Sequence, residues 1–206
     1  MGRTRKLLKT WEEPKFQRGV AREFMSTDAD VEGLEVKRVN KVIGKGLFAT
    51  KTFQSGDFLC EYAGDLITEK EGKRRETSYP MKLGSFLFFF RWKGKRYCVD
   101  ATLKKNRKCR YANDAAGPQK NGVMLLDVFN ETPHLCLYAA KQITPGEEIR
   151  YDYGVTNLPW RLVRNELYEV RQKQALFKHI HVFCINNKFG RILSLSTFVP
   201  FVDGSF

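Results

Sequence analysis

Apolar residues come in short runs along the middle of this chain, and the spacing of those runs predicts strands. Leu34-Glu35-Val36-Lys37 alternates apolar and polar, as a strand buried on one face should. Phe58-Leu59-Cys60-Glu61-Tyr62 follows the turn Gln54-Ser55-Gly56-Asp57. Phe86-Leu87-Phe88-Phe89-Phe90 is apolar throughout, which predicts burial on both faces, and Lys93-Gly94-Lys95 then reverses the chain into Tyr97-Cys98-Val99. Val123 to Val128 and Leu135 to Ala139 form a further pair, joined by Phe129-Asn130-Glu131-Thr132-Pro133. Thr144-Pro145-Gly146-Glu147 turns into Ile149-Arg150-Tyr151. Many short strands at close spacing predict a compact, mostly β domain.

Three stretches break that rhythm. Thr68-Glu69-Lys70-Glu71 is a capping box, and the polar run after it continues to Tyr79 before Pro80 stops it. This short helix has almost no apolar face, so it is exposed or lies against a partner. Residues 1–33 mix charge with few apolar positions and read as a loose basic arm, with one helical turn around Pro14 to Phe24. The β domain spans 34–160, and residues 161–206 form a separate basic segment. In it Arg161 to Lys178 reads as an amphipathic helix carrying Leu162, Leu167, Val170 and Leu176. Disordered chain follows, although Ile192 to Val202 is apolar and β-prone. No internal repeat is visible.

Composition narrows the class. A chain of 206 residues with 42% hydrophobic and 29% charged residues suits one globular domain with tails. No apolar run approaches the roughly 18 residues that cross a bilayer, and no apolar signal core follows the basic N-terminus, so neither a membrane nor secretion is expected. Cys60, Cys98, Cys109, Cys136 and Cys184 form no Cys-x-x-Cys pair, which argues against a zinc cluster and for free thiols in a reducing compartment. His179 and His181 supply too few ligands for a metal site. The net charge of +13 is uneven: +5 over residues 1–22, +4 over 161–206 and +4 between. Basic flanks suit a polyanion such as nucleic acid, or simply a solvated surface. Lys104-Lys105-Asn106-Arg107-Lys108-Cys109-Arg110 holds five basic residues in seven, a candidate nucleic-acid contact or nuclear import signal.

Candidate chemistry lies in three segments in fixed order: Gly44-Lys45-Gly46 with Leu47-Phe48-Ala49-Thr50, Arg110-Tyr111-Ala112-Asn113, and Tyr151-Asp152-Tyr153-Gly154. Glu61-Tyr62-Ala63-Gly64-Asp65 and Tyr97-Cys98-Val99-Asp100-Ala101-Thr102 stand between them. Read alone, the glycine pair is a turn, Asn113-Asp114 is a turn, and each tyrosine is ordinary core. Together, from about Leu34 to Gly154, they resemble a SET domain, the fold of most protein-lysine methyltransferases. The resemblance is to the zinc-free monomethyltransferases of the histone-four tail in particular. It implies a β-clip of short strands with a C-terminal pseudoknot, a short inserted helix bordering the substrate groove, and flanking segments. It further implies S-adenosyl-L-methionine as methyl donor, no metal, and a place in the nucleus, with the cytoplasm as a second location; a monomer is expected.

The same resemblance assigns Gly44, Lys45, Gly46, Phe86, Asn113, Asp114 and Trp160 to cofactor binding, and Tyr62, Tyr151 and Tyr153 to catalysis. Tyr153 corresponds to the tyrosine beside the reacting methyl and amine, Tyr151 to the position that sets how many methyls fit, and Tyr62 to a wall of the lysine channel. Two departures stand out. The family reads Asn-His-Ser where this chain reads Asn113-Asp114-Ala115, and its nearest members carry a pocket tyrosine where this chain has Phe86. The family histidine braces the threaded crossing; an aspartate can accept hydrogen bonds there but cannot donate when ionised. Methyl transfer to lysine needs a neutral amine in line with a sulfonium and shielded from water, and a tyrosine-lined channel suits that need. The expected function is lysine monomethylation of a histone tail, with nucleosomal DNA held by the basic flanks. The rivals are a non-catalytic SET-like chromatin-binding module and a basic nucleic-acid-binding protein.

Overall fold

Turn residues set the strand limits. The computed structural model of the protein describes residues 15–80, 83–154, 158 and 182–185. A helix, α1 (Arg18–Thr27), precedes β1 (Leu34–Asn40), β2 (Gly44–Ala49), β3 (Phe58–Glu61) and β4 (Asp65–Thr68). The helix α2 (Glu69–Ser78) leads to β5 (Leu87–Trp92) and β6 (Lys95–Asp100), then β7 (Asn113–Asp114), β8 (Gly122–Phe129), β9 (Thr132–Ala139), β10 (Glu148–Tyr151) and β11 (Val182–Ile185). One sheet runs β1-β2-β10-β8-β9-β3 with β7 also on β10; a second runs β11-β5-β6-β4. The domain is mostly β, as the run spacing predicts.

Two hairpins show how local chemistry sets register. Lys93 and Gly94 take positive φ (45° and 76°), which joins β5 to β6 by a two-residue turn with Trp92 opposite Lys95. Asn130 and Glu131 do the same (47° and 60°) between β8 and β9. The link read from sequence as five residues is therefore two, and Thr132 and Pro133 join the ladder opposite Phe129 and Val128.

The unbroken apolar run Leu87 to Phe90 is buried along its whole length. Phe88 and Phe90 enter the main core, while Leu87 and Phe89 join Cys98 in a smaller cluster. The helix α2 covers that cluster. Thr68 caps it by accepting the N–H of Glu71 at 3.3 Å, and its one buried residue is Gly72. A Cβ at Gly72 would come within 2.9 Å of Cys98 Cβ and of the Phe89 ring, so the missing side chain lets the helix lie close. Arg75 fastens its far end, donating to Asp65 at 2.7 Å and to Asp100 at 3.0 Å.

The arm read as loose over 1–33 differs from residue 15 onward. Helix α1 buries Ala21 and lays Val20, Phe24 and Met25 against the core, and Phe16, just before it, packs there too. Those positions repeat at helical spacing, and their partners are aromatic: Phe16 meets Tyr138 at 5.2 Å and Phe24 meets Phe58 at 6.0 Å between ring centres. Asp28 and Asp30, just after the helix, hold the buried Arg107 guanidinium at 3.0 Å each, with Glu61 at 3.4 Å. The basic run 104–110 is thus largely built into the fold. Lys104 pairs with Asp28 at 2.9 Å, and Lys108 Nζ donates to the carbonyl of Leu34 at 2.9 Å.

Within 161–206, β11 pairs its backbone in parallel with β5, Val182 opposite Leu87 through Ile185 opposite Phe90. A strand therefore stands where disordered chain was expected, closing an edge of the most apolar strand. The expected helix over Arg161 to Lys178, the histidines at 179 and 181, and Ile192 to Val202 lie outside the described residues.

Candidate active site

A cavity of about 420 Å³ opens where β2, the residues before β5 and the stretch 102–113 meet. Lys45, Phe86, Lys105, Arg110, Tyr111 and Asn113 line it among others. Its aromatic walls are fixed by charge and ring contacts. The Arg110 guanidinium lies 4.7 Å over the Phe86 ring and 4.8 Å over that of Tyr111, and donates to the carbonyls of Ala101 and Thr102 at 2.9 and 2.8 Å. Lys45 Nζ stands 5.4 Å from the centre of the Tyr111 ring.

The glycine pair does two different jobs. Gly44 has φ of +85°, a left-handed conformation that suits glycine at the turn into β2. Gly46 lies in the strand opposite Lys37, where a Cβ would sit 2.7 Å from Glu148 Oε1 and 3.2 Å from Asn113 Nδ2. Its absent side chain therefore admits the hydrogen bonds that Asn113 Nδ2 donates to Glu148 Oε1 (2.7 Å) and to the Lys45 carbonyl (3.1 Å). Gly44, Gly46 and Asp114 are not among the residues lining the cavity. Trp160 lies outside the described residues.

Beside the cavity three tyrosines converge. Strand β10 lies between β2 and the pair β7 and β8, which places Tyr151 next to Asp114 and Gly122 in the ladder. Tyr153 stands two residues on, beyond the strand, yet its ring centre is 4.8 Å from that of Tyr151. Its hydroxyl donates to the carbonyl of Ala112 at 2.8 Å, and its N–H donates to Asp114 Oδ1 at 3.0 Å. Tyr62 follows β3, held by its N–H to the Leu135 carbonyl at 2.8 Å. Phe88 closes the group, 5.4 Å from Tyr62 and 6.5 Å from Tyr151 between ring centres.

All three tyrosines are at most 6% exposed. Burial pushes each phenol well above its ordinary value of 10. Neighbouring phenols add to the effect for Tyr62 and Tyr151, and the Asp114 carboxylate does so for Tyr153. The three hydroxyls are therefore neutral hydrogen-bonding groups at any ordinary pH.

Sequence reasoning brought most of these residues together and missed others. Arg110 and Tyr111 lie inside the segment Arg110-Tyr111-Ala112-Asn113, yet the sequence points only to Asn113, because a basic residue in a basic run reads as surface. Phe88 was hidden in an apolar run; its signal is the two-residue spacing from Phe86. Among the described residues no group of three or more His, Cys, Asp or Glu could hold a metal ion.

Comparison with known proteins agrees with this geometry. The SET domain family profile matches residues 44–154. The chain is 35% identical over 153 residues to the N-lysine methyltransferase KMT5A of Xenopus tropicalis, which covers 66% of this chain and 45% of that protein. It is 34% identical over 149 residues to the histone-lysine N-methyltransferase Set8 of Drosophila melanogaster, covering 71% of this chain and 21% of that one. It thus spans less than half the length of these relatives. The crystal structure of CpSET8 from Cryptosporidium superposes with a TM-score of 0.56 at 23% identity over 74% of this chain and 71% of its own, a likeness of fold. With the profile spanning more than half of its length and all three motif segments set around one site, the chain belongs to the SET domain family.

Proposed function

We propose that this chain is a protein-lysine N-methyltransferase that uses S-adenosyl-L-methionine to add one methyl group to a lysine in a histone tail, in the nucleus. The observation that carries this reading is the meeting of a cation-and-aromatic cavity with a buried tyrosine trio at two consecutive residues. Asn113 lines the cavity, and Ala112 accepts the Tyr153 hydroxyl.

The residues present fit the methyl donor. The volume lies in the range of small-molecule sites. Lys45, Lys105 and Arg110 can meet a carboxylate, the Phe86 and Tyr111 rings can stack on a purine, and Asn113 can hydrogen-bond polar edges. When bound, S-adenosyl-L-methionine supplies an electrophilic methyl group. The chain's own part is to deliver a neutral amine. A free lysine has a pKa of about 10.4, so its neutral form near pH 7.4 lies on the order of 4 kcal/mol uphill. Tyr62, Tyr151 and Phe88 exclude water, which favours the neutral amine over the ammonium. The neutral phenols do not take the proton as phenolates. Their hydroxyl oxygens orient the amine.

The rival of a non-catalytic module has no need of three buried tyrosines around one point. Incubating the protein with histones and labelled donor, followed by mass spectrometry, decides between them. The wild type should yield monomethyl-lysine. Tyr151→Phe should yield substantial dimethyl-lysine, because losing that hydroxyl frees space beside the amine. Tyr153→Phe should lose most activity. Dimethylation by the wild type, or an unchanged product from Tyr151→Phe, contradicts the assignment.

The same reading includes contact with nucleosomal DNA. Among the described residues the support lies at the tip of the β5–β6 hairpin, where Arg91, Lys93, Lys95 and Arg96 flank Trp92 with no acidic residue between 91 and 96. Arg91 stands directly opposite Arg96, a like-charge pair that is unfavourable unless anions lie near. Glu69 neutralises Arg96 at 2.9 Å. The basic residues of 1–14 and of 161–206 extend the same charge.

A further inference from the structure

Position 114 is one of the places where this chain departs from the family motif, and the structure shows what the aspartate does there. Tyr153 lies beyond the last residue of β10. Its N–H donates to Asp114 Oδ1 at 3.0 Å, and its hydroxyl donates to the Ala112 carbonyl at 2.8 Å. The tyrosine is thus held at both ends by the three residues 112–114. That stretch is itself fixed to the neighbouring strand. Asn113 and Asp114 pair in parallel with Arg150 and Tyr151, and the N–H of Ala115 donates to the Tyr151 carbonyl at 3.0 Å. Because the phenolic hydrogen goes to Ala112, the Tyr153 oxygen keeps only its capacity to accept.

We infer that Asp114 is a positioning residue for Tyr153: its carboxylate, by holding the tyrosine's backbone, sets where the phenol oxygen stands beside the transferred methyl and the amine. The inference rests on the methyltransferase reading for its catalytic consequence, though not for its geometry. A displacement of about 1 Å at a reacting group can cost about 100-fold in rate. Asp114 is half-buried and stands outside the lining of the cavity. It therefore acts on turnover and leaves binding of the methyl donor alone. The acceptor oxygen carries the effect and the charge does not, which separates two substitutions. Asp114→Asn keeps an oxygen in place, whereas Asp114→Ala removes it.

Two readouts on the full chain test this. In steady-state kinetics with a histone peptide, Asp114→Ala should lower kcat by about 30-fold or more, on the scale of a misplaced reacting group. Its peptide KM and its donor Kd should stay within about threefold, and Asp114→Asn should recover kcat to within about fivefold of wild type. Where Asp114→Ala gives no folded protein, Asp114→Ser takes its place. The second readout needs no activity. Protein labelled with 3-fluorotyrosine gives a ¹⁹F resonance for Tyr153, assigned by its loss in Tyr153→Phe. That resonance should shift or broaden in Asp114→Ala and return in Asp114→Asn, with the Tyr79 resonance unmoved. An unchanged kcat and spectrum in Asp114→Ala overturn the inference, as does an Asp114→Asn protein as impaired as Asp114→Ala. A wild type that neither binds the donor nor methylates any histone defeats the functional reading instead, and the fluorine spectrum still decides whether Asp114 holds Tyr153.

Discussion

Three buried phenols decide the pH behaviour of the proposed reaction. Burial raises Tyr62, Tyr151 and Tyr153 well above 10, so none ionises in a usable pH range. The substrate lysine, at about 10.4 when free, does titrate toward that range. Raising pH therefore increases the neutral amine while leaving the phenols unchanged. The expected kcat/KM rises nearly tenfold per unit from about pH 7 to about pH 9.5, with no descending limb. Initial rates across that window check this, and a fall below about pH 9.5 means that one of the phenols, or another group, must be protonated for activity. The tyrosines were legible in sequence as residue types at motif positions. Their convergence was legible only in part. Tyr151 and Tyr153 should share a strand face by their spacing, yet Tyr153 is outside β10 and reaches Tyr151 because Asp114 and Ala112 hold it.

At the scale of elements, turns were easier to read than surfaces. The β5–β6 hairpin and the helix between Thr68 and Pro80 follow from Lys93-Gly94 and from the capping box, which are local signals. Helix α1 went unread beyond one turn. Its apolar positions 20, 21, 24 and 25, with Phe16 just before it, have helical spacing, but charges between them and the basic context favour a loose arm. The run 104–110 misled in the same way, since the carboxylates that neutralise Arg107 come from Asp28, Asp30 and Glu61, up to 79 residues away. Long-range partners leave no local trace. Helix α2 posed the opposite problem: it lacks an apolar face because its contact is made by having no side chain at Gly72. Gly72→Ala gains about 1 kcal/mol of helix propensity. It loses about 1–3 kcal/mol to overpacking against Cys98 and Phe89. The expected net is destabilisation on the order of 1 kcal/mol, lowering Tm by roughly 2–4 °C. A thermal melt with Tm unchanged or raised shows that α2 can move outward at no cost.

At the scale of the whole molecule, the packing of α1 changes how the basic flank must be probed. Removing residues 1–22 would strip Phe16 from Tyr138, the Gln17 N–H from the Gly56 carbonyl at 2.9 Å, and Arg18 from Asp127 at 3.2 Å. Lost DNA affinity would then report unfolding as much as charge. A deletion of residues 1–14 removes a net +2 and leaves those contacts in place. The hairpin offers a cleaner probe still. Arg91, Lys93 and Lys95 are exposed and stand on a turn that protrudes from the second sheet's ladder. Replacing all three by alanine should leave the fold and the free-peptide methylation rate unchanged. If each meets a phosphate, the slope of log K against log salt for duplex DNA flattens by about 0.9 per lost contact, so by up to about 2.7 for the three. The 1–14 deletion should flatten it by less, because its two glutamates offset half of its four basic residues. Fluorescence anisotropy with a labelled duplex at several salt concentrations measures both. Equal slopes for wild type and the hairpin variant would mean that Glu69 and solvent together suffice for the Arg91/Arg96 pair, and that any DNA contact lies elsewhere on the chain.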